Sequence, residues 1–166
     1  MARTAAQADP RLIAFVLPSI PESVRIARSH IRAALGCHGL DEYADDAVAI
    51  TSELVSNAIQ HVCGDGTETV GVTLARIRNP DAVTVVVTDS SPAGPVRREP
   101  PHGSERGRGL LVVQELSACW GWHLQDGGKA VYAMLTKEDG RVMPEQRGAR
   151  GRRRWRYCSR PNGRRC

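Results

Sequence analysis

Apolar residues recur at helical spacing in three stretches of the chain. The first, Glu22–Leu35, follows a proline suited to the first turn of a helix and ends before a glycine that can close one. The second begins after Asp41 and continues to Val62, just before a glycine-rich segment. The third, Leu110–Cys119, lies in the second half of the chain. The pattern predicts three helices.

Runs rich in branched and aromatic residues alternate with these stretches. Arg11–Leu17 is ended by prolines and predicts a short opening strand. Thr69–Arg78 and Ala82–Thr88 flank an Asn-Pro-Asp turn and predict a hairpin. Trp120–Gln125 and Lys129–Thr136 predict a second hairpin about an Asp-Gly-Gly turn.

This order of elements predicts an α+β fold, a two-layer sandwich in which a mixed, mostly antiparallel sheet is covered on one face by three helices. The 166 residues are enough for one domain with a substantial core. We place that domain at 11–140, between a flexible N-terminus at 1–10 and a basic, disordered tail at 141–166. No apolar run approaches the length of a membrane span, so a soluble, cytoplasmic protein without membrane contact is expected.

Polar residues recur every four positions along the margin of the second predicted helix. They are Glu53, Asn57 and His61, and this spacing places a carboxylate, an amide and an imidazole on one stripe. Such a stripe is by default a solvated face. A carboxylate that accepts a proton and an amide oxygen that holds a hard cation would also suit phosphate chemistry.

Two further features lie in the second half of the chain. Asp89 ends a predicted strand before a long connection rich in proline and glycine, and Gly107–Leu110 opens the third helix. A strand-ending Asp is usually a turn residue, and a Gly-x-Gly before a helix is common. Long irregular connections are, however, frequently binding loops, and glycines at a helix start allow close approach of a phosphate.

Taken in order, these features resemble the GHKL, or Bergerat-fold, ATPase superfamily. Glu53–His61 resembles its N box, Asp89–Gly94 resembles its G1 box, and Gly107–Leu110 resembles its G2 box. The resemblance covers roughly 11–136 and is strongest for the small bacterial anti-sigma factor serine/threonine kinases.

The resemblance implies a role for each residue. Asn57 would offer its side-chain oxygen to Mg²⁺, and Glu53 would be the catalytic base for a substrate hydroxyl. His61 would support the geometry of the phosphates or the metal. Asp89 would accept a hydrogen bond from the adenine amino group of ATP.

The remaining implied ATP contacts come from the glycine-rich segments. Gly94, Gly107, Gly109 and Leu110 would line the nucleotide, and Arg108 would add positive charge beside the triphosphate.

Two positions depart from the superfamily pattern. The G1 box commonly reads DxGxG, but Ser91 stands at its third position in this chain. On the late strand, where many relatives carry a hydroxyl residue near the adenine, we expect Ala130. The first change leaves the geometry of the G1 loop open, and the second would remove a water-mediated contact and reduce the affinity for ATP.

Charge and the remaining residues change this interpretation little. Residues 147–166 contain nine arginines and no acid, which leaves fourteen basic and eighteen acidic residues in 1–146. The tail could bind the phosphates of a nucleic acid, although a solvated extension is the simpler explanation.

The five cysteines form no CxxC pair, which favours a reducing compartment. Trp120 and Trp122 are expected to be structural, with one ring in the core.

The resemblance implies an ATP-binding regulator that uses ATP and Mg²⁺. It would transfer the γ-phosphoryl group to a serine or threonine of an anti-anti-sigma (STAS-type) protein and would sequester a sigma factor. The alternative is a non-catalytic protein-binding module gated by nucleotide. A nucleic-acid-binding protein acting through the Arg-rich tail ranks last. The identity of the partners and the formation of a homodimer stay open.

Overall fold

The computed structural model describes residues 11–61, 67–78, 81–95 and 109–137. The predicted flexible N-terminus at 1–10 and basic tail at 141–166 lie outside these residues. The helices and strands of the described chain are β1 (Arg11–Pro18), α1 (Glu22–Cys37), a 3₁₀ turn (Asp41–Tyr43), α2 (Ala44–His61), β2 (Thr69–Arg78), β3 (Asp81–Asp89), α3 (Gly109–Leu116), β4 (Cys119–Gln125) and β5 (Gly128–Thr136).

Each predicted helix and strand is present, but α3 is shorter than predicted. It ends at Leu116, and Cys119 already belongs to β4. The Ser117 hydroxyl donates to the Val113 carbonyl oxygen at 2.6 Å, and the Ala118 N–H donates to a carbonyl of β5 at 2.7 Å. The backbone therefore changes from helical to sheet pairing at Ala118, which the apolar pattern alone does not reveal.

The five strands form one sheet in the order β1-β2-β3-β5-β4. The sheet was expected to be mixed and mostly antiparallel, and all four neighbouring pairs of described strands are antiparallel. The α+β sandwich is confirmed. Because β5 lies beside β3, the first residues of β5 adjoin the last residue of β3, Asp89.

The core lies between the helices and one face of the sheet. Val83, Val85 and Val87 alternate along β3 and are buried on that face, as the period of two in a strand requires. Ile31 of α1 and Leu54 of α2 are buried in the same apolar cluster. The helix margins that border this cluster are therefore held at fixed positions above the sheet.

Trp120 and Trp122 both pack against the core. The expectation that only one ring would do so is wrong, because residues two apart on a strand share a face. Their partners on β5 are Ala133 and Val131, which are themselves buried in the core.

Contacts at the end of β5 fix the turn that precedes α2. Lys137 pairs with Glu42, and its hydrogen bond lowers the pKa of that carboxyl. The Lys137 ammonium also lies 5.6 Å from the centroid of the Tyr43 ring. Burial raises the pKa of Tyr43, whose hydroxyl donates to the Asp81 carbonyl oxygen at 3.3 Å. These contacts tie the start of α2 to the sheet.

Among the described helices, none is long and apolar enough to cross a membrane.

Candidate nucleotide site

The start of α3 lies against the polar stripe of α2. A Cβ added at Gly109, the first residue of α3, would overlap Glu53 Oε2 and would lie 3.7 Å from Asn57 Nδ2. The side chain of Glu53 therefore occupies the space that any larger residue would need. The structure brings together the predicted N box and the described part of the predicted G2 box, although about fifty residues separate them in sequence.

Asn57 carries a buried amide group with an unsatisfied atom. Its Nδ2 is buried and has no hydrogen-bond partner within the ranges that the structure describes. A buried polar group without a partner is costly, and such groups commonly mark the place of a ligand, water or ion. Because rotation of the amide exchanges its oxygen and nitrogen, Asn57 can offer a ligand either atom.

His61 is the last residue of α2 and is half-buried. It lies about two turns beyond Glu53 on the same stripe. Its predicted part in the phosphate or metal geometry stays a prediction.

Asp89 ends β3 as a buried carboxylate whose two oxygens differ. Oδ1 accepts hydrogen bonds from Lys129 Nζ at 2.7 Å and from the Ser91 backbone N–H at 2.9 Å. Oδ2 is buried and has no partner among the described residues. The side chains of Asp89 and Lys129 are only 1% and 3% exposed. Ser91, which stands at the third position of the predicted G1 box, thus supports the carboxylate through its backbone N–H.

Lys129, and not Ala130, is the residue of β5 beside Asp89. Asp89 is opposite Lys129 across the β3–β5 pair, and Ala130 is opposite Thr88. Directly opposed residues share a face of the sheet, so Ala130 lies on the other face from Asp89. Ala130 is therefore not a neighbour of Asp89, and its place near the adenine stays a prediction. The alternation along β5, with Val131 buried in the core, was the signal that could have identified Lys129.

Gly94, the predicted end of the G1 box, packs on a tryptophan. A Cβ added at Gly94 would overlap the indole of Trp122. The described part of the loop after Asp89 therefore rests on β4. The sequence predicts only a structural role for Trp122, and no spacing rule links it to Gly94. A nucleotide contact of Gly94 stays a prediction.

The other predicted G2-box residues divide into two groups. Leu110 is buried and belongs to the core, so its packing role is clear, and its contact with nucleotide stays a prediction. Gly107 and Arg108 lie outside the described residues.

The antiparallel sandwich, the polar stripe under a glycine at a helix start, and the buried carboxylate at a strand end define an ATP-binding domain of the GHKL class. The family model for the histidine kinase-like ATPase domain matches residues 17–135. No curated protein matches the chain. The chain thus belongs to the histidine kinase-like ATPase domain family.

Proposed function

We propose that this ATP-binding domain is a protein serine/threonine kinase of the anti-sigma factor type. It transfers the γ-phosphoryl group of MgATP to a serine or threonine of an anti-anti-sigma (STAS-type) protein, and it sequesters a sigma factor. The observation that carries the proposal is the closeness of the Glu53 carboxylate and the Asn57 amide to Gly109, where an added Cβ would meet both. This arrangement puts a carboxylate and an amide at the N-terminus of a helix, where phosphate groups bind readily.

The unsatisfied polar atoms of the site fit a bound nucleotide. Asp89 Oδ2 is a buried acceptor, which suits the amino group of adenine. The start of α3 offers backbone N–H groups to the phosphates, and Gly109 leaves room for their approach. Asn57 would hold Mg²⁺ through its amide oxygen, and Mg²⁺ supplies neutralisation of the phosphate charge.

Glu53 is the proposed general base. Its half-buried carboxylate lies against the start of α3, beside the proposed phosphate position. There it accepts the proton of the attacking hydroxyl as the new oxygen–phosphorus bond forms. The bond between the γ-phosphorus and the β-phosphate bridging oxygen breaks, and ADP leaves.

A transfer assay tests the proposal. The protein is incubated with ATP labelled at the γ-phosphate, Mg²⁺ and a panel of STAS-type proteins, and label on serine or threonine is measured. We expect transfer to one or a few of these proteins, and capture of a sigma factor that depends on nucleotide. ATP binding without transfer to any of them would instead favour the non-catalytic, nucleotide-gated binding module.

Gly109→Ala is expected to reduce transfer about tenfold, because the new Cβ displaces the Glu53 carboxylate from its position. Stability should change by less than about 1 kcal/mol, because Gly109 is the first residue of the helix and the displaced group is the flexible end of a side chain. Single-turnover transfer and thermal unfolding measure the two effects. Gly36→Ala in α1 is the matched control, because its Cβ would lie 3.4 Å from Asp41 Oδ1 and far from this site in the fold. Equal transfer rates in the two variants would contradict the proposed position of Glu53.

A further inference from the structure

In the proposed base-binding site, the Asp89 carboxylate is already engaged by Lys129. Lys129 Nζ lies 2.7 Å from Oδ1 and 3.4 Å from the Ser91 carbonyl oxygen. With the Ser91 N–H, two donors converge on one oxygen of Asp89. In the part of the chain that the structure describes, Oδ2 has no partner. One oxygen of the carboxylate therefore has its hydrogen-bond donors, and the other has none among the described residues.

We propose that Lys129 is a positioning residue that holds one oxygen of the Asp89 carboxylate, so that only the other oxygen recognises the purine base. Lys129 holds Oδ1, and Oδ2 alone accepts a hydrogen bond from a 6-amino group. The inference rests on the proposed nucleotide site and concerns how that site selects adenine over a 6-oxo purine.

The ammonium of Lys129 fixes the orientation of the carboxylate. Together with the Ser91 N–H it holds Oδ1, so the Oδ2 acceptor keeps one position. A 6-amino group can donate to Oδ2, whereas a 6-oxo purine would bring its own acceptor oxygen against it. Without Lys129 the carboxylate can turn, and the acceptor that distinguishes the two groups loses its fixed position.

The backbone of β5 places Lys129 beside Asp89. Gly128 directly precedes it, and a Cβ at Gly128 would overlap the Asp89 carbonyl oxygen. The two strands therefore approach closely at this point, which keeps the Lys129 ammonium within 3 Å of the carboxylate.

The relative binding of ATP and of ITP, which has a 6-oxo group in place of the amino group, distinguishes a positioning role of Lys129 from a purely structural one. By calorimetry, the wild type should prefer ATP by about 10- to 100-fold, as one hydrogen bond to a charged group predicts. Lys129→Met should reduce this ratio to within about threefold of unity, while Lys129→Arg should keep the preference. A purely structural role would lower the melting temperature of Lys129→Met without changing the ratio.

Folding of the variants is checked by cooperative thermal unfolding. If Lys129→Met does not fold, Lys129→Ala decides, since it keeps Asp89 and leaves space for water to solvate the buried carboxylate. It should also lose the preference for ATP. A folded variant that keeps the wild-type ratio of ATP to ITP affinity would overturn the role of Lys129 but not the proposed nucleotide site. Failure of the wild type to bind ATP would overturn the proposed nucleotide site itself.

Discussion

Glu53→Gln is expected to slow phosphoryl transfer by about 10²- to 10⁴-fold, the range that loss of a general base produces. Glutamine has nearly the same shape, so it preserves the packing of Gly109 against the side chain. It cannot accept the hydroxyl proton. ATP affinity should change by less than about threefold, because the proposed base acts on the second substrate rather than on the nucleotide. Single-turnover transfer and equilibrium ATP binding measure the two quantities separately.

Glu115→Gln is the matched control for this change. Glu115 is an exposed carboxylate on α3, so the substitution removes the same charge without touching the polar stripe of α2. It should leave both transfer and ATP binding near wild-type values. Transfer by Glu53→Gln at the wild-type rate would show that Glu53 is not the base. A matching loss in Glu115→Gln would point to net charge as the cause.

The local parts of the fold and site could be predicted from the sequence because they depend on local periodicity. The spacing of four residues between Glu53 and Asn57 places both on one stripe of α2, and the alternation of Val83 and Val85 identifies the buried face of β3. Neither inference needs knowledge of a distant residue.

The parts that could not be predicted depend on contacts between distant segments. The engaged oxygen of Asp89 depends on the β3–β5 register, which pairs residues forty positions apart. The packing of Gly94 on Trp122 depends on the path of a loop, which no spacing rule describes. Lys129 and Ala130 differ by one position, and in a strand that difference places their side chains on opposite faces, so only the register shows which of them lies beside Asp89.

Gly128→Ala is expected to destabilise the fold and to weaken ATP binding together. Gly128 has φ of 155°, which a side chain disfavours, and its Cβ would overlap the Asp89 carbonyl oxygen. Because that oxygen belongs to the backbone, it can move only if β3 and β5 separate. Strain and overpacking together should lower the free energy of unfolding by roughly 2–5 kcal/mol. Displacement of Asp89 should weaken ATP binding by about tenfold or more.

Gly127→Ala separates backbone strain from this close approach of the strands. Gly127 also has a positive φ, 81°, but a Cβ there would meet no atom within 4 Å. Its cost should therefore be limited to about 1–2 kcal/mol of left-handed strain, with ATP affinity unchanged. Denaturant unfolding and calorimetry compare the two variants. Equal losses of stability and affinity in the two variants would mean that the conformation of the turn alone determines the position of the Asp89 carboxylate. A larger loss in Gly128→Ala would mean that the contact between the strands holds the carboxylate in position.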